Sequence, residues 1–239
     1  MAHGGMRYSA VSRWFMLLAG LAAFPVAAFA QEGISAEIDL LEVHVGKGHD
    51  HLVLDSGMTV GAGADQLVIK VEGGSDTRTS FDDIEIQALY SRTLSDRVTM
   101  LAGVRYDIRD ASNLGHASMG VVADLGSGIE AEHYAFVSQH GNLTGNGQLI
   151  ARWDIAPRLT LEPRLALGWS AQSVPAEDLG SGPTDIEISV RLRRSFGENL
   201  NIYTGVIHER LLGGTRDIAV AHGETAKVTR AIFGFGFSF

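Results

Sequence analysis

Ala231-Ile232-Phe233-Gly234-Phe235-Gly236-Phe237-Ser238-Phe239 ends the chain, and its alternation decides the fold. Successive side chains of a strand point to opposite faces. One face of this segment therefore carries Ala231 and four phenylalanines, and the other carries Ile232, Gly234, Gly236 and Ser238. A soluble protein with such an aromatic row on an outer edge would invite aggregation. A strand that presents the row to lipid would not. An aromatic row ending in a terminal Phe is similar to the closing strand of bacterial outer-membrane barrels, which implies that assembly machinery reads Phe239.

The same period of two runs upstream. Ile186, Ile188, Val190 and Leu192 alternate with Asp185, Glu187, Ser189, Arg191 and Arg193. Leu159, Leu161, Leu165, Leu167 and Trp169 alternate with Thr160, Glu162, Arg164 and Ser170. Val98 to Ile108 repeats the pattern against Thr99, Arg105, Asp107 and Arg109. About twelve such segments follow one another, at 34–45, 51–61, 66–73, 80–92, 97–109, 116–125, 129–139, 143–155, 159–171, 184–196, 200–212 and 226–239. Most match the ~9–11 residues a tilted strand needs to cross a bilayer. A soluble sandwich would alternate as well. Connection lengths favour a membrane barrel: those near 62–65, 93–96, 126–128, 156–158 and 197–199 are tight, while 172–183 and 213–225 are long. Short periplasmic turns and long outer loops are the rule for even-stranded barrels. The expected fold is all-β, a transmembrane antiparallel β-barrel of about 12 strands over 34–239 in the cell outer membrane, with outer-membrane lipid around it.

Residues 1–30 read differently. Arg7 and Arg13 are their only charges, Trp14–Ala30 is apolar, and Ala28-Phe29-Ala30 is an A-x-A-type cleavage site. This predicts a signal peptide over 1–30 and a short periplasmic N-terminus over 31–33. The apolar run falls short of the ~20 residues of a spanning helix, which weighs against an uncleaved anchor.

Composition narrows the function. The 239 residues include no cysteine, so disulfides, thiolate metal sites and a Cys nucleophile are excluded. A net charge of −9 argues against nucleic-acid binding, which needs a basic face. With apolar faces toward lipid, the lumen gathers Glu85, Arg105, Asp107, Arg109, Glu130, Glu132, Arg152, Asp154, Glu162, Arg164, Asp185, Glu187, Arg191, Arg193, Glu209 and Arg230. These predict either a salt-bridged filling or a charged conduit.

Glu85-Ile86-Gln87-Ala88-Leu89-Tyr90-Ser91-Arg92 and Ala102-Gly103-Val104-Arg105-Tyr106-Asp107 resemble the copper resistance protein B family of outer-membrane proteins. So do Glu130-Ala131-Glu132, Ala135-Phe136-Val137-Ser138, Leu161-Glu162-Pro163-Arg164-Leu165, Gly180-Ser181-Gly182-Pro183-Thr184-Asp185, His208-Glu209-Arg210 and Gly213-Gly214-Thr215. The resemblance implies a twelve-stranded barrel, copper as bound or transported ion, and a periplasmic copper-binding or oxidase partner. Members often carry a Met- and His-rich segment ahead of the barrel. Here only Gln31-Glu32-Gly33 lie between the expected cleavage site and the first strand.

Without Cys, copper's soft donors are His and Met. Gly46-Lys47-Gly48-His49-Asp50-His51 is the one His-x-His cluster, in the first outer turn. His49 and His51 are therefore the leading candidates, with His116, His140 and His222 near the same rim. Met100 and His208 fall in the lipid-facing register. Two alternatives stand beside copper handling: a small general porin or structural barrel, and a barrel-rim hydrolase using Ser138 with His133 or His140, for which no catalytic motif is present. The chain is expected not to be an enzyme.

Processing gives the first test. N-terminal sequencing of the exported protein is expected to begin at Gln31, and the folded protein to migrate anomalously on an unheated gel. Recovery from the soluble periplasm would overturn the barrel assignment.

Overall fold

The computed structural model describes residues 33–47, 50–75, 83–109 and 112–239. The expected signal peptide, Gln31, Glu32 and His49 lie outside them. The strands are β1 (Ile34–Gly46), β2 (His51–Val60), β3 (Asp65–Ser75), β4 (Asp83–Ser95), β5 (Val98–Ile108), β6 (Leu114–Gly126) and β7 (Ile129–Ser138). They continue as β8 (Leu143–Ala151), β9 (Trp153–Ala156), β10 (Leu159–Ser170), β11 (Gly182–Phe196), β12 (Leu200–Leu211) and β13 (Lys227–Ser238). β8 and β9 form one stave interrupted at Arg152, since both pair with β10. The ring therefore has twelve staves, each antiparallel to the next, and β13 pairs with β1 to close it. Closure leaves no strand edge, so the ring satisfies its own backbone hydrogen bonds as a bilayer requires.

The two faces separate as the alternation predicts. Ile188 is 51% exposed and Phe233 54%, both on the outside, with Val104, Met119, Val206 and Phe235. So extensive an apolar outer belt is a membrane surface rather than a water-facing one. No helix among the described residues is long and apolar enough to cross a membrane; the strands do the crossing. Met100 and His208 lie in the outward register, and His208 Nδ1 meets Thr229 Oγ1 at 2.7 Å.

At the end that carries both chain termini, the turns are tight. Ser127 and Arg158 take positive φ there (57° and 62°), in the left-handed region that a sharp reversal needs. The opposite end carries the long loops. A 3₁₀ turn, Pro175–Glu177, lies in one, and α1 (Gly213–Ala221) lies in the other. Neither was expected from the sequence. The two loops pack together: Gly180 N donates to Thr215 Oγ1 at 2.9 Å, and a Cβ on Gly180 would lie 2.5 Å from the Gly214 backbone.

Inside, aromatic rings fill gaps left by glycine. Tyr134 lies across Gly120 of the next strand, and Tyr203 across Gly234, where a Cβ would sit 2.7 Å from the ring. Leu40, Tyr203, Ile207 and Ile232 form one inward cluster. Leu89, Leu101, Tyr134 and Phe136 form another on the facing wall. The lumen thus has an apolar filling beside its charges.

Ser189 points inward as the register predicts, but it is buried against Arg191, whose Nη1 donates to it at 2.8 Å, rather than wet. Gln148, which lines open lumen space, is the better inward control. Ile188→Arg is expected to destabilise the folded barrel by about 2–4 kcal/mol in denaturant titrations, as for a charge near the bilayer midplane. Gln148→Arg is expected to change it far less. Equal effects would overturn the assignment of faces.

Candidate functional site

The candidate site is the open upper lumen, a cavity of about 690 Å³ on the long-loop side. Period-two strands supply its chemistry, because charges two residues apart share the inward face. Eleven carboxylate residues line it, against five Lys and Arg. Two histidines, His44 and His116, line it as well.

Three buried networks organise the walls. In the first, Arg191 on β11 reaches across the lumen to Glu42 on β1, with Nε to Oε1 at 2.5 Å and Nη2 to Oε2 at 3.0 Å. Glu42 is fully buried, and His44 Nε2 meets its Oε2 at 2.7 Å. In the second, Arg105 holds Asp107 through Nε at 2.7 Å and Nη2 at 3.1 Å, and its Nη2 also lies 2.7 Å from Glu85. His116 Nε2 lies 3.1 Å from Asp107 Oδ2. His116 Nδ1 is buried with no hydrogen-bond partner, on a ring that lines the cavity. In the third, Arg164 binds Glu162 at 2.8 Å and Asp39 at 2.5 Å, and Arg193 binds the same two carboxylates at 2.9 and 3.2 Å. Paired, hydrogen-bonded burial is the form in which such charges are tolerated inside a protein.

The remaining lumen charges lie at mid-height and toward the two ends. Lys70 joins Glu72 at 3.1 Å and Glu132 at 3.9 Å. Arg152 contacts Glu130 and Glu162, and Asp154 accepts from Thr160 Oγ1, all at the tight-turn end. At the outer mouth Arg230 donates to Glu209 at 2.5 Å, and Arg109 lies 3.9 Å from Glu177 of the 3₁₀ turn. Glu187 accepts from Ser189 Oγ at 3.3 Å, and Asp185 from Thr184 Oγ1 at 2.7 Å.

The candidate metal ligands scatter. His51 opens β2, with Nε2 2.7 Å from Arg230 Nη2, so that nitrogen is the acceptor. His116 is in the upper lumen. His140 lies in the β7–β8 turn, its Nε2 3.5 Å from the Gln139 amide. His222 follows α1, exposed, with Nδ1 3.8 Å from Asp178. Among the described residues no three His, Asp or Glu side chains form a group that could hold a metal. Ser138 Oγ accepts the backbone N–H of His140 and of Asn142, at 3.3 and 3.1 Å, capping its turn.

Sequence reasoning missed Asp39, Glu42, His44, Asp55, Lys70 and Glu72. The signal for Lys70 and Glu72 was present, since they alternate with Ile69 and Val71. Glu42 and His44 lie beyond a bulge at Asp39, between Ile38 and Leu40, which shifts the facing of β1 from the count begun at Ile34.

The family model of the copper resistance protein B precursor matches residues 33–239. The chain is 27% identical over 198 residues to the copper resistance protein B homolog of Pseudomonas syringae pv. tomato, covering 82% of this chain and 66% of that one. It is 29% identical over 167 residues to copper resistance protein B of Escherichia coli, covering 69% and 55%. The chain thus spans roughly half to two thirds of these relatives' length. Among solved structures it is similar in fold to the NanC porin (TM-score 0.55, 10% identity, 84% of this chain and 98% of that one). The KdgM porin gives 0.50 at 14% identity, with 86% and 99% covered.

Glu42→Ala would leave the Arg191 guanidinium buried without its carboxylate. Breaking a buried pair in this way is expected to cost about 3–5 kcal/mol in urea unfolding of the folded barrel. A loss below about 1 kcal/mol, the range of exposed pairs, would show that water reaches the site.

Proposed function

Because this chain belongs to the copper resistance protein B family, we propose that it sits in the outer membrane and contributes to copper resistance by binding copper ions in the upper lumen. The observation that carries this reading is the excess of carboxylates over cations around the cavity, with two imidazoles among them. Such a chamber attracts a cation, and imidazole beside carboxylate suits Cu(II). His116 is the candidate of the sequence reading that belongs to this chamber, and its unpartnered Nδ1 is a soft donor there.

In an even-stranded barrel the short turns face the periplasm and the long loops face outward. The chamber then opens toward the outer medium. His51 and Glu209 stand near its rim, where an arriving ion meets them first. We assign no covalent chemistry to the protein: its work is to bind an ion, and copper is cargo.

Copper titration of the purified barrel tests the reading. His44→Gln with His116→Gln is expected to lower Cu(II) affinity at least tenfold while heat-modifiable folding is kept. Wild-type binding is expected to weaken in acid, because protonated imidazole cannot coordinate. The double change His49→Ala, His51→Ala separates the first outer turn from the chamber. Unaltered affinity in the chamber variant would overturn the proposal, as would a deletion strain no more sensitive to copper than to other metals.

A further inference from the structure

The upper lumen is open, and the lower lumen is filled. We infer that the barrel is a cup rather than a conduit: its floor is sealed on the tight-turn side, and the chamber exchanges with the long-loop side alone. This deepens the proposed function by stating which compartment reaches that site, and it rests on the orientation given there.

Three observations carry it. The first is burial. An inward side chain that borders a water-filled pore exposes surface to it. Leu89 and Leu101 from one wall, and Tyr203 and Ile232 from the other, are buried, although all four point into the lumen. Glu162, a carboxylate on the inward face, is only 1% exposed.

The second is reach. Ion pairs join strands that are not neighbours in the ring: Arg164 on β10 to Asp39 on β1, and Arg193 on β11 to the same carboxylate. Lys70 on β3 and Glu132 on β7 approach across the facing half at 3.9 Å. Cations also cap the rings of the filling, with the Arg193 guanidinium 4.3 Å from the centre of Tyr203 and Lys70 Nζ 5.1 Å from that of Tyr134. Such stacking ties the ionic and apolar parts into one layer.

The third is where the cavity ends. Its lining reaches down to Lys70, Glu132 and Arg164 but includes neither Glu162 nor Arg193. The exposed charges of the other end, Arg152 and Glu130, are absent from that lining and stand at the tight-turn mouth. Moving an ion through this layer would require breaking buried pairs that each hold a desolvated charge. The resting barrel therefore passes no ions.

Bilayer recordings in potassium chloride on the full reconstituted chain test the seal without copper, so failure of the copper reading leaves this test intact. The wild type is expected to give no steady conductance steps. Arg193→Ala with Tyr203→Ala removes one wall of the floor and is expected to give them. Leu89→Ala with Leu101→Ala opens the facing wall and serves as the second variant, with heat-modifiable migration checking that each folds. Steady ohmic steps in the wild type would overturn the inference. Folded floor variants as silent as the wild type would overturn it as well, because these side chains would then not form the seal.

Discussion

Everything in this molecule depends on the hydrogen-bonded ladder between β1 and β13. An isolated run of strands in a bilayer would leave one edge of N–H and C=O groups without partners, each costing several kcal/mol. Pairing Val43 with Phe233 and Val45 with Ala231 removes that edge. Once the ring closes, every strand must present one face to lipid and the other to the lumen. The aromatic row of β13 and the charged row of β11 follow from that single condition. Closure also makes register rigid, since slipping one strand by one residue would turn its arginines outward.

Closure then creates the electrostatic problem that the interior resolves. Charges forced inward are shut in a narrow space, where unpaired ions are costly. The solution is pairing at two ranges. Pairs two residues apart, such as Arg105 with Asp107 and Arg164 with Glu162, arise within one strand and need only the pleat. Pairs such as Arg191 with Glu42 need the whole ring to bring β11 near β1. The short-range set orients each guanidinium, and the long-range set braces the barrel across its lumen.

This division explains what was legible in the sequence. Strand positions, facing and count follow from the period of two; β11 at Gly182–Phe196 lies within two residues of the span expected at 184–196. The short-range pairs were legible for the same reason. The cross-lumen pairs were not, because 149 residues separate Arg191 from Glu42 and no local pattern links them. Bulges break the reading in another way: Asp39 is the extra residue between Ile38 and Leu40, so Asp39 and Leu40 both turn inward, and Glu42 and His44 follow inward against a count begun at Ile34. The helix α1 escaped because Gly213-Gly214 reads as a turn, and its stability comes from packing against the neighbouring loop through Thr215 rather than from helix propensity.

The carboxylates of the lumen also divide by the partner that holds them. In the floor, Glu162 and Asp39 are held by the guanidinium groups of Arg164 and Arg193, and in the chamber wall Arg191 and Arg105 hold Glu42 and Asp107 in the same way. Two acids on the mouth side of β11, Glu187 and Asp185, accept instead from the hydroxyls of Ser189 and Thr184. A hydroxyl fixes a carboxylate's position without neutralising it, so it leaves negative charge available to a mobile cation. A guanidinium does both, and it leaves nothing for an ion to claim. The same residue types thus stand in two settings within one lumen, braced by arginine at some positions and by a hydroxyl at others. Acidity alone would not give this arrangement. On β11 it arises because Arg191 and Arg193 occupy inward positions toward the tight-turn end of the strand, while Asp185 and Glu187 occupy those toward the outer mouth.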